Sequence, residues 1–122
     1  MEKDRYTIRL RFWIDQAKGP RIGAGRVVLL EQIAATGSIT NAAKAMKMSY
    51  RQAWQMLEDM NSRAPEPLVQ KIHGGNKGSG TEITPAGLEV IAMFRQVEKD
   101  LQAIAEKMSK ELGHASKKKK AK

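Results

Sequence analysis

The sequence predicts a mainly α-helical domain with a small β component, and three observations support that class. Helix start and stop signals recur at short intervals between residues 26 and 60, which is typical of small helices packed against one another. Two short runs with β character flank the glycine-rich stretch GGNKGSG (74–80), which predicts a hairpin. Apolar residues then recur at spacings of 3 and 4 from residue 90 to residue 108, which predicts one long helix.

The composition is typical of a single soluble domain that binds a polyanion. The chain has 122 residues, of which 41% are hydrophobic and 29% charged, unlike a disordered chain. Five of the nine net positive charges belong to lysines in 117–122, so the body is only mildly basic. Two segments contain no acid, one between Glu31 and Glu58 and one between Glu66 and Glu82, and both carry lysines. Such segments favour binding to nucleic acid.

Several function classes are not supported by the residue inventory. There is no cysteine, and no apolar run approaches the length of a signal peptide or a membrane span, so we expect a cytoplasmic protein with no membrane partner. His73 and His114 lack a second ligand at metal spacing. The thirteen carboxylates are scattered, and no catalytic triad or paired acid emerges. We therefore predict no enzyme, no metal site and no cofactor.

The first elements follow from alternation and from glycines. In RYTIRLRFWI (5–14) apolar residues alternate with arginine and threonine, which predicts a half-buried strand. A loop to Gly25 and a helix over about 26–35 follow, with Gly37 as the helix stop.

The segment GSITNAAKAMKMSYRQAW (37–54) predicts a helix-turn-helix. Thr40 can cap a helix of two turns over 41–46, and a turn at Lys47 and Met48 follows. Ser49 and Gln52 form a capping box at the start of the second helix. Two short helices in this arrangement are the unit that places a second helix in the major groove of DNA.

The second helix carries candidate base-reading side chains. With Ala53 and Leu57 facing inward, Tyr50, Arg51 and Gln55 are left outward at its leading end. Arginine pairs with guanine and glutamine with adenine. Ser49, Gln52 and Tyr50 are candidates for contact with phosphates or bases. Thr40, Asn41 and Lys44 lie where the N-terminus of a helix would hold a phosphate. The alternative is a pair of core helices with an ordinary charged face.

The predicted hairpin favours the DNA interpretation, because it directly follows the second helix. LVQKI (68–72) and TEIT (81–84) are its strands, and Asn76 and Lys77 lie in a loop suited to contact a phosphate backbone. A nucleotide-binding loop is disfavoured because GGNKGSG follows no parallel strand and enters no helix. For Trp54 we expect packing at the core edge rather than stacking on the DNA sugar backbone.

Thr84 and Pro85 predict the start of a helix over 85–112 whose apolar residues lie at heptad positions. Such a pattern predicts a dimer interface; a helix lying back over its own domain is the alternative. We predict a domain over 1–112 and a disordered lysine-rich tail over 113–122 that adds non-specific DNA affinity. The predicted interface residues are Val90, Phe94, Val97, Leu101, Ile104 and Met108.

The stretches GSITNAAKAMKMSYRQAWQMLEDMN and LVQKIHGGNKGSGTEITPAGLEVI resemble the N-terminal DNA-binding domain of the ModE-type molybdate-responsive transcription regulators, over about residues 5–110. The helix-turn-helix is also similar to that of LysR-type regulators. The resemblance implies a winged-helix homodimer that binds double-stranded DNA at a palindromic operator. It places Ser49, Tyr50, Arg51, Gln52 and Gln55 in the recognition segment, and in the wing it places Lys71, His73, Asn76 and Lys77.

The resemblance implies regulation of molybdate uptake or molybdenum-related genes. Members of the ModE type carry C-terminal molybdate-binding domains, whereas this sequence continues into a lysine tail, so no oxyanion-binding residue is carried over. Two alternatives stay open. The chain could be a winged-helix module that binds a partner protein, or a sensor that binds an oxyanion effector at the dimer interface through Arg9, Arg11 or Arg95.

Overall fold

The computed structural model describes residues 5–72 and 80–120, with side chains to residue 114, and the fold is mainly helical with two small hairpins. The chain divides into two compact units, residues 12–94 and residues 1–11 together with 95–122. The strands are β1 (Ile14–Asp15), β2 (Arg21–Ile22), β3 (Val69–Ile72) and β4 (Gly80–Ile83), and the helices are α1 (Ala24–Thr36), α2 (Ile39–Ala45), α3 (Tyr50–Arg63) and α4 (Pro85–Lys120).

The predicted N-terminal strand over 5–14 is mostly wrong. Within residues 5–14 only Ile14 belongs to a strand, β1, which pairs with β2 through Ile14 opposite Ile22. Alternation survives locally, because Phe12 and Ile14 are half-buried while Trp13 between them is exposed. A strand needs a hydrogen-bonding neighbour as well as a period of two, and β2 supplies one for two residues only.

Helix α1 ends at Gly37 as predicted. Gly37 has a φ of 69°, in the left-handed region that favours glycine, and its N–H donates to the carbonyl of Ile33 at 2.8 Å. The carbonyl of Gly37 accepts from the N–H of Thr81 at 3.0 Å, so the end of α1 is tied to β4. The helix begins at Ala24, two residues earlier than predicted.

The predicted cap of α2 is wrong by two residues. Ser38, not Thr40, is the N-cap: its backbone is extended and its hydroxyl accepts from the N–H of Asn41 at 3.1 Å. Thr40 lies within the helix. Both hydroxyls could cap, and Ser38 does so because the turn at Gly37 lets the helix begin at Ile39.

The core of residues 12–94 lies among α1, α2, α3 and the base of the hairpin β3–β4. Its largest fully buried side chains are those of Leu29, Leu30, Ile33, Met60, Val27 and Phe94. Ala42 and Ala43 are buried on α2, so their small side chains let this seven-residue helix approach its neighbours closely. Packing, rather than its own propensity, stabilises so short a helix.

Strands β3 and β4 form the predicted antiparallel hairpin, with Val69 opposite Ile83 and Ile72 opposite Gly80. Residues 73–79, which include His73, Asn76 and Lys77, lie outside the described residues. Thr84 caps α4 as predicted, because its hydroxyl accepts from the N–H of Gly87 at 3.1 Å and donates to the carbonyl of Pro67 at 2.6 Å.

Two of the six predicted interface residues on α4 pack within their own unit. Phe94 is 1% exposed and stacks on Phe12 with ring centroids 4.5 Å apart, and Val90 packs against the same core. Both residues therefore stabilise their own unit. The heptad pattern combined residues that face the core with residues that do not. The first turns of α4 keep an apolar stripe that packs on the core of residues 12–94, and the later turns lie beyond that core.

The distal part of α4 belongs to the other unit. There the backbone N–H of Ile8 donates to the hydroxyl of Ser109 at 2.9 Å, and Ala105 is buried. The helix continues to Lys120, beyond its predicted end at Leu112; lysine and alanine are good helix formers. The division into a domain over 1–112 and a tail over 113–122 stays a prediction.

Candidate DNA-binding surface

The turn between α2 and α3 is fixed by backbone hydrogen bonds. The N–H of Met48 donates to the carbonyl of Ala43 at 3.0 Å, and the N–H of Lys47 donates to the carbonyl of Lys44 at 3.1 Å. Lys47 has a φ of 56°, which lets the chain reverse within three residues. The predicted helix-turn-helix is therefore confirmed, and the start of α3 is held in a fixed orientation to α2.

The predicted capping box at the start of α3 is present. The hydroxyl of Ser49 accepts from the N–H of Gln52, and the side-chain oxygen of Gln52 accepts from the N–H of Ser49, both at 3.1 Å. Each side chain thus satisfies a backbone donor that the helix leaves unpaired. Contact with DNA by either side chain stays a prediction.

All the predicted DNA contacts that the structure describes are exposed. Inward-facing Ala53, Leu57 and Met60 leave the opposite face of α3 in solvent, as the periodicity predicted. The three candidates of the hairpin tip fall in residues 73–79 and are not described. The exposed candidates are Thr40, Asn41, Lys44, Ser49, Tyr50, Arg51, Gln52, Gln55 and Lys71.

The helix-turn-helix carries positive charge that the described chain does not neutralise. Lys44, Lys47 and Arg51 are exposed, and within residues 5–72 and 80–120 none of them forms an ion pair with a carboxylate. The carboxylate of Asp59, on α3, pairs with Arg26 and Arg63 instead. Three free cations on an acid-free segment are suited to contact phosphates.

Asp59 ties α3 to α1. Its carboxylate accepts from Arg26 at 2.6 Å and from Arg63 at 3.0 Å. The hydrogen bond from Arg26 is the main reason that the pKa of Asp59 is lowered, with the charges of Arg26 and Arg63 acting in the same direction and desolvation opposing them. The ion pair between Arg26 and Asp59 therefore adds a polar link between α1 and α3 to the packing of the core.

The lowered pKa of Asp59 predicts that the free energy of unfolding decreases at acid pH. The carboxylate favours the folded state above its unfolded pKa of 3.8, and this contribution is lost as pH falls through the lower pKa of the folded state. We expect Asp59→Asn to lose less stability than the wild type between about pH 6 and pH 3. The difference should stay below about 1 kcal/mol because the side chain is 37% exposed. Urea unfolding at both pH values measures it; parallel pH profiles would contradict it.

Asn61 connects α3 to the hairpin, a role that was not predicted from the sequence. Its side-chain oxygen accepts from the N–H of Leu68 at 2.8 Å and from that of Val69 at 3.4 Å, while its amide nitrogen donates to the carbonyl of Val69 at 3.2 Å. The orientation of β3 to α3 therefore depends on this side chain. The signal was faint: Asn61 lies one turn after Leu57, at the edge of the inward stripe.

Replacing Asn61 with aspartate should loosen β3 from α3. The shape is kept, but an oxygen replaces the donor that faces the carbonyl of Val69, at a cost of about 1–3 kcal/mol. We expect faster hydrogen exchange at the amides of Leu68 and Val69, measured by NMR. Ser62→Ala, next in sequence and exposed, is the control and should leave both rates unchanged. Unchanged rates in Asn61→Asp would show that this side chain does not hold β3.

Trp54 is 44% exposed, so the expected packing at the core edge accounts for only part of its surface. His114 is exposed, as expected. Within residues 5–72 and 80–120 no three histidine or acidic side chains are placed to hold a metal ion. In the same ranges, no helical stretch combines the length and the apolar character that a membrane crossing requires.

The chain is similar to known regulators in both sequence and fold. It is 38% identical over 116 residues to the molybdenum transport protein ModE of Azotobacter vinelandii, a match that covers 95% of this chain and 42% of that protein. It is 38% identical over 94 residues to the molybdenum-pterin-binding protein MopB of Rhodobacter capsulatus, covering 77% of this chain and 35% of that protein. These matches confirm the resemblance to the ModE type.

The fold is similar to that of MepR of S. aureus in its complex with DNA, with a TM-score of 0.53 at 15% sequence identity over 82% of this chain and 74% of that one. This likeness supports the winged-helix fold alone. The chain spans less than half the length of the curated relatives it matches. Residues 25–88 match the model of the bacterial regulatory helix-turn-helix proteins of the lysR family. This match covers more than half of the chain, which therefore belongs to that family.

Proposed function

We propose that the chain is a sequence-specific transcription regulator of the ModE type that reads double-stranded DNA with α3. The observation that supports this most directly is the exposed leading end of α3 beside three cations without a carboxylate partner in the described chain. Helices placed in this way insert their N-terminal residues into the major groove. Arg51 and Gln55 supply the base-reading donors, and Lys44 contacts phosphate.

A homodimer on a palindromic operator is part of the proposal. The distal half of α4 carries apolar side chains that its own unit leaves exposed, including Val97, Ile104, Met108 and Leu112. Phe94 and Val90 are assigned to the core, so four predicted interface residues remain. Leu101 is half-buried, and the other three are exposed: Val97, Ile104 and Met108. A stripe of this kind on a long helix is typical of a helix that pairs with a second copy.

Regulation of molybdate uptake or molybdenum-related genes is proposed from the names of the relatives, molybdenum transport protein and molybdenum-pterin-binding protein. An oxyanion effector stays a proposal as well. Of the three arginines considered for it, Arg95 pairs with Glu98 at 2.7 Å, while Arg9 and Arg11 are exposed. We propose a cytoplasmic location, and we propose no catalytic reaction and no cofactor.

The experiment that tests this function is selection of genomic DNA fragments by the purified protein at two salt concentrations. An enriched palindrome that is still bound at the higher salt identifies a specific regulator and, through the adjoining genes, its pathway. Affinity that is equal for all fragments and is lost at the higher salt concentration would contradict the proposal, since contacts to phosphate alone produce this behaviour.

A protein-interaction module is the second candidate, favoured by the same exposed side chains of α4. Simultaneous substitution of Tyr50, Arg51 and Gln55 separates the two functions, because these side chains are exposed and lie far along the chain from α4. A regulator loses its operator binding in this variant. An interaction module keeps its partner.

A further inference from the structure

Two aromatic side chains on α3 are exposed to solvent. Tyr50 is 53% exposed and Trp54 is 44% exposed. Both belong to the helix whose buried stripe is made by Ala53, Leu57 and Met60. Large apolar groups that are exposed side by side on one helix face are typical of a contact surface.

The two aromatics share one side of α3. They lie four residues apart and are therefore neighbours on the helix surface, one turn apart. Arg51 and Gln55 form a parallel row beside them. Asn61 follows Trp54 by seven residues, close to two turns, and it binds the backbone of β3. The aromatic stripe thus lies on the flank of α3 that faces the hairpin, between the base-reading stripe and β3.

We propose that Tyr50 and Trp54 form an aromatic surface that packs on apolar groups at the rim of the DNA major groove, with Trp54 as a specificity-determining residue. The inference rests on the proposed function and extends it to a residue that was assigned to core packing. The occupant is double-stranded DNA, because the neighbouring Lys44, Lys47 and Arg51 are exposed cations that complement phosphate. The apolar groups available there are thymine methyls and deoxyribose carbons.

The first test observes Trp54 itself. The chain has two tryptophans, and Trp13, which is 55% exposed and lies over Gly23 at the start of α1, is replaced by phenylalanine. In this variant the fluorescence comes from Trp54 alone. Titration with the DNA selected by the wild type should shift its emission to shorter wavelength and protect it from iodide, since packing on DNA removes water from the ring. No substitution at Trp54 is needed, so its ring is observed directly.

The second test measures affinity. We expect Trp54→Ala to weaken binding to the selected DNA on the order of tenfold and Trp54→Phe by no more than about threefold, because the phenyl ring keeps much of the apolar area. Trp13→Ala is the matched control, an exposed tryptophan outside the helix-turn-helix, and should leave affinity within about twofold. Replacing the thymines of each half-site by uracil identifies the apolar group. If the Trp54→Ala effect disappears on uracil DNA, the contact is to a thymine methyl, as a specificity-determining residue requires. If the effect persists, the contact is to deoxyribose, which carries no sequence information, and the specificity role of Trp54 is overturned.

The outcomes separate this inference from the function on which it rests. Unshifted emission together with unchanged affinity of Trp54→Ala on DNA that the wild type binds specifically overturns the aromatic contact and leaves the regulator intact. If the wild type selects no DNA sequence at all, both fail. A loss that is equal on selected and random DNA would also overturn the specificity role, since a sequence-reading contact weakens the selected sites most.

Discussion

Gly87→Ala should destabilise the fold more than alanine at any other glycine in residues 5–72 and 80–120. A Cβ at this position would lie 2.3 Å from the carbonyl oxygen of Leu68 and 3.0 Å from a methyl carbon of Ile83. The oxygen belongs to the backbone that Thr84 and Asn61 hold in place, so it cannot move without breaking those hydrogen bonds. We expect a loss of about 3 kcal/mol or more.

Thermal unfolding followed by circular dichroism measures this loss, which corresponds to a midpoint lower by roughly 10–20 °C. Gly25→Ala is the matched control, because a Cβ there meets no atom within 4 Å and alanine favours the helix. It should raise stability by up to about 1 kcal/mol. Similar unfolding midpoints for the two variants would show that α4 can move away from β3 at little cost.

The helix-turn-helix could be predicted because its signals are local. Gly37 ends α1 through its own backbone angle, and Ser49 with Gln52 caps α3 through hydrogen bonds that span three residues. The inward stripe of α3 follows from periodicity alone, so the exposure of Arg51 and Gln55 follows as well. Local chemistry specifies these features whatever surrounds them.

Features that depend on distant partners could not be predicted. The alternation of residues 5–14 is present, yet a strand forms only where β2 provides a neighbour. Phe94 occupies a heptad position, but stacking on Phe12 buries it within its own unit. Asn61 resembles any polar helical residue until the backbone of β3 lies beside it. Each case requires knowledge of which residues meet across the chain.

The predicted contact surface falls between these two cases. The start of α3 is set by local signals, but the burial of the side chains at its edge is not. Trp54 was expected to pack at the core edge, and the structure leaves 44% of it in solvent. Whether an edge residue of a helix is covered depends on how closely the next element approaches. Asn61 bonds to the neighbouring backbone on the hairpin side, and Asp59 bonds to Arg26 of α1.

Arg51→Ala should weaken binding to the selected operator by about 1–3 kcal/mol and relax the preference at the bases it contacts. Arg51 is exposed in the first turn of α3, outside the capping pair of Ser49 and Gln52, and forms no ion pair within residues 5–72 and 80–120. Alanine favours helices, so the variant should keep its fold. The lost affinity then reflects the contact with DNA and not a change in α3.

Lys44→Ala is the comparison that separates base reading from phosphate contact. Lys44 is exposed on α2, so its loss should lower affinity equally on operator and random DNA and reduce the salt slope by about one. Arg51→Ala should lower affinity mainly on the operator, because a guanine contact is lost only where guanine is present. Binding isotherms for both variants on both DNAs, at two salt concentrations, measure the difference. If Arg51→Ala lost affinity evenly, it would be a phosphate contact, and the reading of bases would have to be assigned to Gln55 or to the aromatic flank of α3.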